Sequence, residues 1–128
     1  MRTAREVFDG MDLTGGLRPE LLADDVVVEM PTAPEGRVRR IEGKAAFLAY
    51  AAEGRANLPF RLTGQRVRHV HETADPEVLV AEYELTGTAL TTGRTATASF
   101  VGVLRVRDGL VAGWREYQDR AAIARALA

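Results

Sequence analysis

The residues of this sequence best equipped for chemistry are carboxylates carried on strand-like segments. Glu116 stands in Gly113-Trp114-Arg115-Glu116-Tyr117-Gln118, Glu82 and Glu84 in Val80-Ala81-Glu82-Tyr83-Glu84, and Glu29 closes the apolar run Val26-Val27-Val28. A carboxyl group set among apolar and aromatic side chains resists ionisation, which moves its pKa toward the range where a general acid or base works. Two carboxyl groups sharing a site titrate apart, so a neutral and an ionised partner coexist near neutral pH. Such equipment suits proton abstraction beside a carbonyl, ring closure, dehydration or imine-forming condensation. His69 and His71 alternate onto one strand face, where either could shuttle a proton. Two histidines without a third convergent ligand do not make a metal site.

Other chemistries lack their parts. The chain has no cysteine, which removes disulfides, thiolate metal sites and cysteine nucleophiles. Ser99 is the only serine, and it lies in no Gly-x-Ser-x-Gly elbow. Neither a phosphate-cradling loop nor a dinucleotide fingerprint is present. A formal charge of −1 gives no general attraction to nucleic acid. Arg37, Arg39 and Arg40 form the densest positive cluster, but Pro34 and Gly36 beside them make the segment read as a solvated loop. No apolar run approaches bilayer length, and the first residues lack the apolar core of a signal peptide. No membrane partner is therefore expected, and the cytoplasm is the default location.

The elements that must position these groups follow from local signals. At 128 residues the chain fits one domain, 1–128. Thr3 and Glu6 have capping-box spacing, predicting a helix that ends at Asp9 or Gly10. Gly15-Gly16 interrupts the pattern, and Pro19 opens a helical turn that Asp24-Asp25 closes. Residues 26–30 are β-branched enough for a strand. From Gly43 to near Gly54, Ala46, Phe47 and Tyr50 recur at helical spacing, which suits helix packing, with Phe47 or Tyr50 as an alternative candidate for a cavity mouth. Strands are predicted over 61–71 and 78–87, around Thr73-Ala74-Asp75-Pro76, and over 95–107 and 110–119, around the hairpin signal Asp108-Gly109. Asp119 caps a last helix over 120–127. Helices first and long antiparallel strands behind predict an α+β fold with helices on one sheet face.

The two-residue hairpin loop predicts a register by counting outward from Arg107 and Leu110. Val103 then faces Trp114 and Val101 faces Glu116, so Val101, Val103, Trp114 and Glu116 share one face. In the 78–87 strand, Val78, Val80, Glu82 and Glu84 share one face, and Leu79, Ala81, Tyr83 and Leu85 the other. Both faces carry apolar residues, which leaves open the side that looks inward.

Several segments in this order resemble the NTF2-like superfamily. They are Leu21-Leu22-Ala23-Asp24-Asp25-Val26-Val27-Val28-Glu29-Met30-Pro31, then Ile41-Glu42-Gly43-Lys44 opening a helix, then the ending Val106 through Asp119. Within it the chain is similar to SnoaL-like polyketide cyclases, limonene-epoxide-hydrolase-like enzymes and phenazine-biosynthesis A/B proteins. The resemblance implies a cone with a curved, antiparallel to mixed sheet around a pocket. It also implies a homodimer working without metal or organic cofactor, and a working acid in the last strand, at Glu116. The epoxide hydrolases' Arg-x-Asp pair falls on Glu82-Tyr83-Glu84 and their Tyr-x-Asn pair on Val27-Val28-Glu29, which disfavours epoxide hydrolysis. The histidine that cyclases carry after Gly-Thr is Ala89 here, after Gly87-Thr88. The phenazine-type acidic strand is similar to Val80-Ala81-Glu82-Tyr83-Glu84. Together these readings predict Glu116, Glu82 and Glu84 as catalytic groups. They predict Trp114, Glu29, Val101, Val103, Phe47, Tyr50 and His69 as pocket residues, for a small apolar carbonyl or polyketide-like metabolite. A non-catalytic binding module and a dimerising interaction domain are the alternatives.

Overall fold

The structure, a computed structural model, describes residues 1–14 and 16–128. Its N-terminal helix α1 (Ala4–Asp9) is held by the expected capping box. The Thr3 hydroxyl accepts from the Glu6 backbone N–H at 3.2 Å, and the Glu6 carboxylate accepts from the Thr3 N–H at 3.1 Å. α1 buries Ala4, Val7 and Phe8. Of the predicted glycine break, Gly15 lies outside the described residues, and Gly16 adopts φ +83°. A 3-10 turn at Pro19–Leu21 leads into strand β1 (Leu22–Glu29). The strand thus takes in Asp24 and Asp25, which the sequence assigned to the end of a turn.

After β1 come the short strand β2 (Arg40–Glu42), helix α2 (Lys44–Ala56), and the long strands β3 (Phe60–Glu72), β4 (Val78–Ala89) and β5 (Thr95–Arg107). Strand β6 (Leu110–Gln118) and helix α3 (Arg120–Leu127) complete the order. As expected, Asp119 caps α3, its carboxylate accepting from the Ala122 N–H at 3.1 Å. The arginine segment read as a loop is in part β2: Arg40–Glu42 pairs antiparallel with β1 and buries Ile41. Pairing with a neighbouring strand makes this element, since its own three residues carry no strand pattern.

One six-stranded sheet runs in the order β2-β1-β6-β5-β4-β3. Every neighbouring pair is antiparallel except β1 and β6, which lie parallel and bring the first and last strands together. The core lies between one sheet face and the helices. Leu79, Ala81 and Tyr83 of β4, Leu104 and Val106 of β5, and Trp114 of β6 pack there with α1 and Phe47 of α2. This settles the open question about β4: the inward face is the one carrying Tyr83, not the one carrying Glu82 and Glu84.

The hairpin is closed as expected by Asp108 and Gly109, both left-handed (φ +55° and +74°), the two-residue turn that matches strand twist. The register beyond it is not the one that counting gives. Arg107 pairs with Leu110 and Val106 with Val111, but the ladder then slips, and Arg105 pairs with Gly113. Ala112 is the extra residue of a β-bulge, and a one-residue slip exchanges the faces of all that follows. Leu104, not Val103, therefore stands opposite Trp114, and Gly102, not Val101, opposite Glu116.

Candidate functional site

Three successive rows on the inner face build the site. In one, Leu79 of β4 pairs with Leu104, Leu104 with Trp114, and Trp114 with Val28 of β1. The next is Ala81, Gly102 and Glu116, and the third Tyr83, Phe100 and Gln118. The middle row has almost no side-chain volume except the glutamate. A Cβ built on Gly102 would come within 2.2 Å of the Trp114 ring, so only glycine lets the indole lie across β5. Trp114 then stacks toward Tyr83 (ring centroids 6.3 Å apart), and Tyr83 lies nearly parallel to Phe100 (5.4 Å, 7°). This aromatic stack fixes the Tyr83 ring, which is 1% exposed, and aims its hydroxyl at Glu116.

Both oxygens of the Glu116 carboxylate are engaged. Tyr83 O–H donates to Oε2, and Gln118 Nε2 donates to Oε1 at 2.9 Å. Burial first, and the adjacent Glu116 charge second, push the Tyr83 phenol far above the ordinary tyrosine range. The phenol is a permanent hydrogen-bond donor at any working pH. The Gln118 amide is oriented in turn by Arg120, whose Nη1 donates to Gln118 Oε1 at 3.3 Å.

Glu116 stands where two cavities meet. The first, about 270 Å³, is lined by Met11, Val28, Met30, Phe47, Tyr50 and Trp114, among others. The second, about 310 Å³, lies under α3, with Leu62, Leu85, Ala98, Phe100 and Ile123 in its walls. Leu13, Glu116 and Gln118 belong to both. Each cavity is at the small end of ligand-site volumes. A carboxylate held by two donors, between two apolar chambers, can take a proton from a molecule lying across it and return that proton elsewhere.

The structure thus brings together Glu116, Trp114, Phe47 and Tyr50, and sends the other predicted residues to the opposite sheet face. Glu82 points outward, where His71 Nε2 lies 2.5 Å from its carboxylate and holds the Glu82 carboxyl below its ordinary value. Glu84 lies on the same outer face and pairs with Arg68 at 3.5 Å. His69 is exposed there too, its ring against His71. Strand alternation is the cause, since Tyr83 faces inward and both its neighbours must face out. Val101 and Val103 join them because the Ala112 bulge shifts the register. Glu29 also leaves the cavity, since Val28 before it faces inward, and it ion-pairs with Arg115 at 3.2 Å and Arg40 at 3.5 Å. No pair of predicted carboxylates therefore shares the site.

The sequence reading missed Gln118, Arg120 and the functional use of Tyr83. It also missed Asp12, a second carboxylate in the wall of the first cavity, whose Oδ1 accepts from the Thr14 N–H (3.0 Å) and hydroxyl (2.9 Å). Alternation already placed Tyr83 on a face with Leu79 and Ala81, and an interior face carrying one phenol is a signal for a buried polar partner. Among the described residues, no group of three or more histidines and carboxylates could hold a metal ion, and no helix is long and apolar enough to cross a membrane.

A curved mixed sheet closed by helices around a pocket, with an acid on its last strand, defines the class of NTF2-like cones. The chain belongs to the SnoaL-like domain family, whose model matches residues 2–114 and so ends just short of Glu116. It is 34% identical over 98 residues to the uncharacterised protein YesE of Bacillus subtilis, covering 77% of this chain and 65% of that protein. An uncharacterised PhzA/B-like protein of Pseudomonas aeruginosa is 31% identical over the same length, covering 77% of this chain and 67% of the relative. The chain thus spans about two thirds of these relatives. Among solved structures, a Bacillus subtilis protein provisionally named an isomerase superposes with a TM-score of 0.75 at 31% identity, over 84% of this chain and 76% of that one. A Pseudomonas putida protein provisionally named a polyketide cyclase matches over the full length of both chains with a TM-score of 0.74. At 20% identity it shows the fold alone.

Proposed function

We propose that the protein is an acid/base enzyme of the isomerase or cyclase type, acting on a small apolar carbonyl compound with Glu116 as the proton-transferring group. The observation that carries this reading is the placement of Glu116 at the junction of two apolar chambers, held by Tyr83 and Gln118. Glu116 removes a proton from the carbon beside the carbonyl, and electrons move into the carbonyl oxygen as the enolate forms. In a β,γ-unsaturated compound, return of the proton at the far carbon of the dienolate moves the double bond. Alternatively the enolate carbon attacks a second carbonyl, the ring C–C bond forms as that C=O π bond breaks, and the resulting alkoxide takes the proton back from Glu116. Neither outcome changes the oxidation state, and no cofactor is required by it. Tyr83 and Gln118 hold the carboxylate in position, while Trp114, Phe47 and Tyr50 shape the first chamber. The Bacillus subtilis protein provisionally named an isomerase, at 31% identity, supports this class of chemistry.

The same proposal includes a homodimer formed through the outer sheet face, where Val80, Val101 and Val103 are half-buried in the single chain. Replacing Glu116 by Gln keeps shape and hydrogen-bond reach but removes the base. With a panel of cyclic and open-chain ketones, turnover is expected to fall by roughly 100- to 10,000-fold while affinity stays within a few-fold. Retained turnover in Glu116→Gln would remove the enzyme reading and leave a binding protein.

A further inference from the structure

Arg120 is the only cation among the described residues that line the two chambers; it belongs to the lining of the second and is exposed to solvent. The other charged groups in the two linings are carboxylates, Glu116 and Asp12. Most arginines on the sheet are paired: Arg40 and Arg115 with Glu29, Arg68 with Glu84, Arg107 with Asp25. Arg120 forms no ion pair among the described residues, and its side-chain hydrogen bond there is the 3.3 Å one to the neutral Gln118 amide. The neighbouring Asp119 carboxylate is turned back to cap Ala122. A planar guanidinium fork is therefore left open beside an apolar chamber, a geometry suited to a carboxylate.

We infer that Arg120 anchors a carboxylate of the substrate, so that the molecule accepted is an apolar oxo acid. Its carboxylate rests on Arg120 at the surface end, and its carbonyl lies beside Glu116. The opposite orientation would set the ligand's carboxylate against Glu116, like charge on like charge. The chain of contacts fixes the polarity: Tyr83, Glu116, Gln118 and Arg120 run in hydrogen-bonded order from the core to the surface. The carbonyl half of this statement rests on the acid/base reading of Glu116; the carboxylate half stands on Arg120 alone.

Displacement of the neutral apolar dye N-phenyl-1-naphthylamine tests it without turnover. Decanoate is expected to displace the dye from the wild-type protein at a concentration about tenfold below that needed for methyl decanoate, a modest factor because the guanidinium is exposed. In Arg120→Gln the two compounds become equal while the dye still binds. Arg125→Gln, on the same helix, retains the preference, and so does Glu116→Gln. Equal displacement in the wild type, or a preference that survives Arg120→Gln, overturns the inference. Failure of the dye to bind the wild type overturns it together with the ligand-cavity reading. An acid preference that depends on Arg120, in a protein whose turnover ignores Glu116→Gln, would keep the carboxylate half of this inference and discard the carbonyl half together with the catalytic reading.

Discussion

Tyr83 and Glu116 meet across 33 positions of chain, and the consequences of that bond are measurable one residue at a time. Tyr83→Phe removes a donor and leaves an apolar ring in the same stack, so it is expected to cost about 1 kcal/mol at neutral pH. Its pH dependence has a definite sign. The folded phenol titrates far above the unfolded one, so an unfolded chain binds fewer protons above pH of about 10. The stabilisation is complete below that pH and is lost as pH rises beyond it. In urea unfolding, the gap between wild type and Tyr83→Phe should hold at neutral pH and narrow from about pH 10 upward. A gap that widens with alkalinity would mean that Tyr83 is not the buried neutral donor described. Legibility at this scale was uneven. The sequence singled out Glu116 through Trp114 on the same strand face and the resemblance of the last strand, while the neighbours it assigned there, Val101 and Val103, face outward. Its partners were not legible, since Tyr83 belongs to another strand and Gln118 and Arg120 look like ordinary surface residues.

At the scale of elements, the strongest local signals were the ones that survived. The Thr3–Glu6 box, the Asp108-Gly109 turn and the Asp119 cap each depend on residues within a few positions of one another, and each is present. The bulge at Ala112 leaves no such mark. It is one extra residue in an otherwise regular strand, yet it decides that Glu116 faces Gly102 and that Val101 and Val103 face outward. β2 was invisible for a related reason: it exists through pairing with β1. The paired geometry makes Gly102 a sensitive position. Gly102→Ala drives a methyl into the Trp114 ring and is expected to cost about 1–3 kcal/mol through overpacking. Trp114 is the only tryptophan of the chain, so its fluorescence reports the change directly. A red-shifted emission is expected; an unchanged spectrum and melting temperature would show that the indole does not lie across β5.

For the whole molecule, the class of fold was readable because the order of helices and long strands restricts the architectures available, and the SnoaL-like family membership agrees with it. The inward side of β4 was not readable, because one face offers Val78 and Val80 and the other Leu79 and Ala81. Packing of α1 on the sheet decides it. The outer face, with its half-buried valines, is where a second copy is proposed to sit. Val103→Arg should then convert a dimer to a monomer in sedimentation velocity, and an unaltered wild-type monomer would remove that proposal. Proton transfer by Glu116 beside a carbonyl is read out by deuterium exchange of the α-protons of 2-decalone in D2O, followed by NMR. Wild-type protein is expected to accelerate the exchange over buffer, and Glu116→Gln to bring it back by roughly 100-fold or more. Exchange at equal rates in the two proteins would contradict a catalytic role for Glu116.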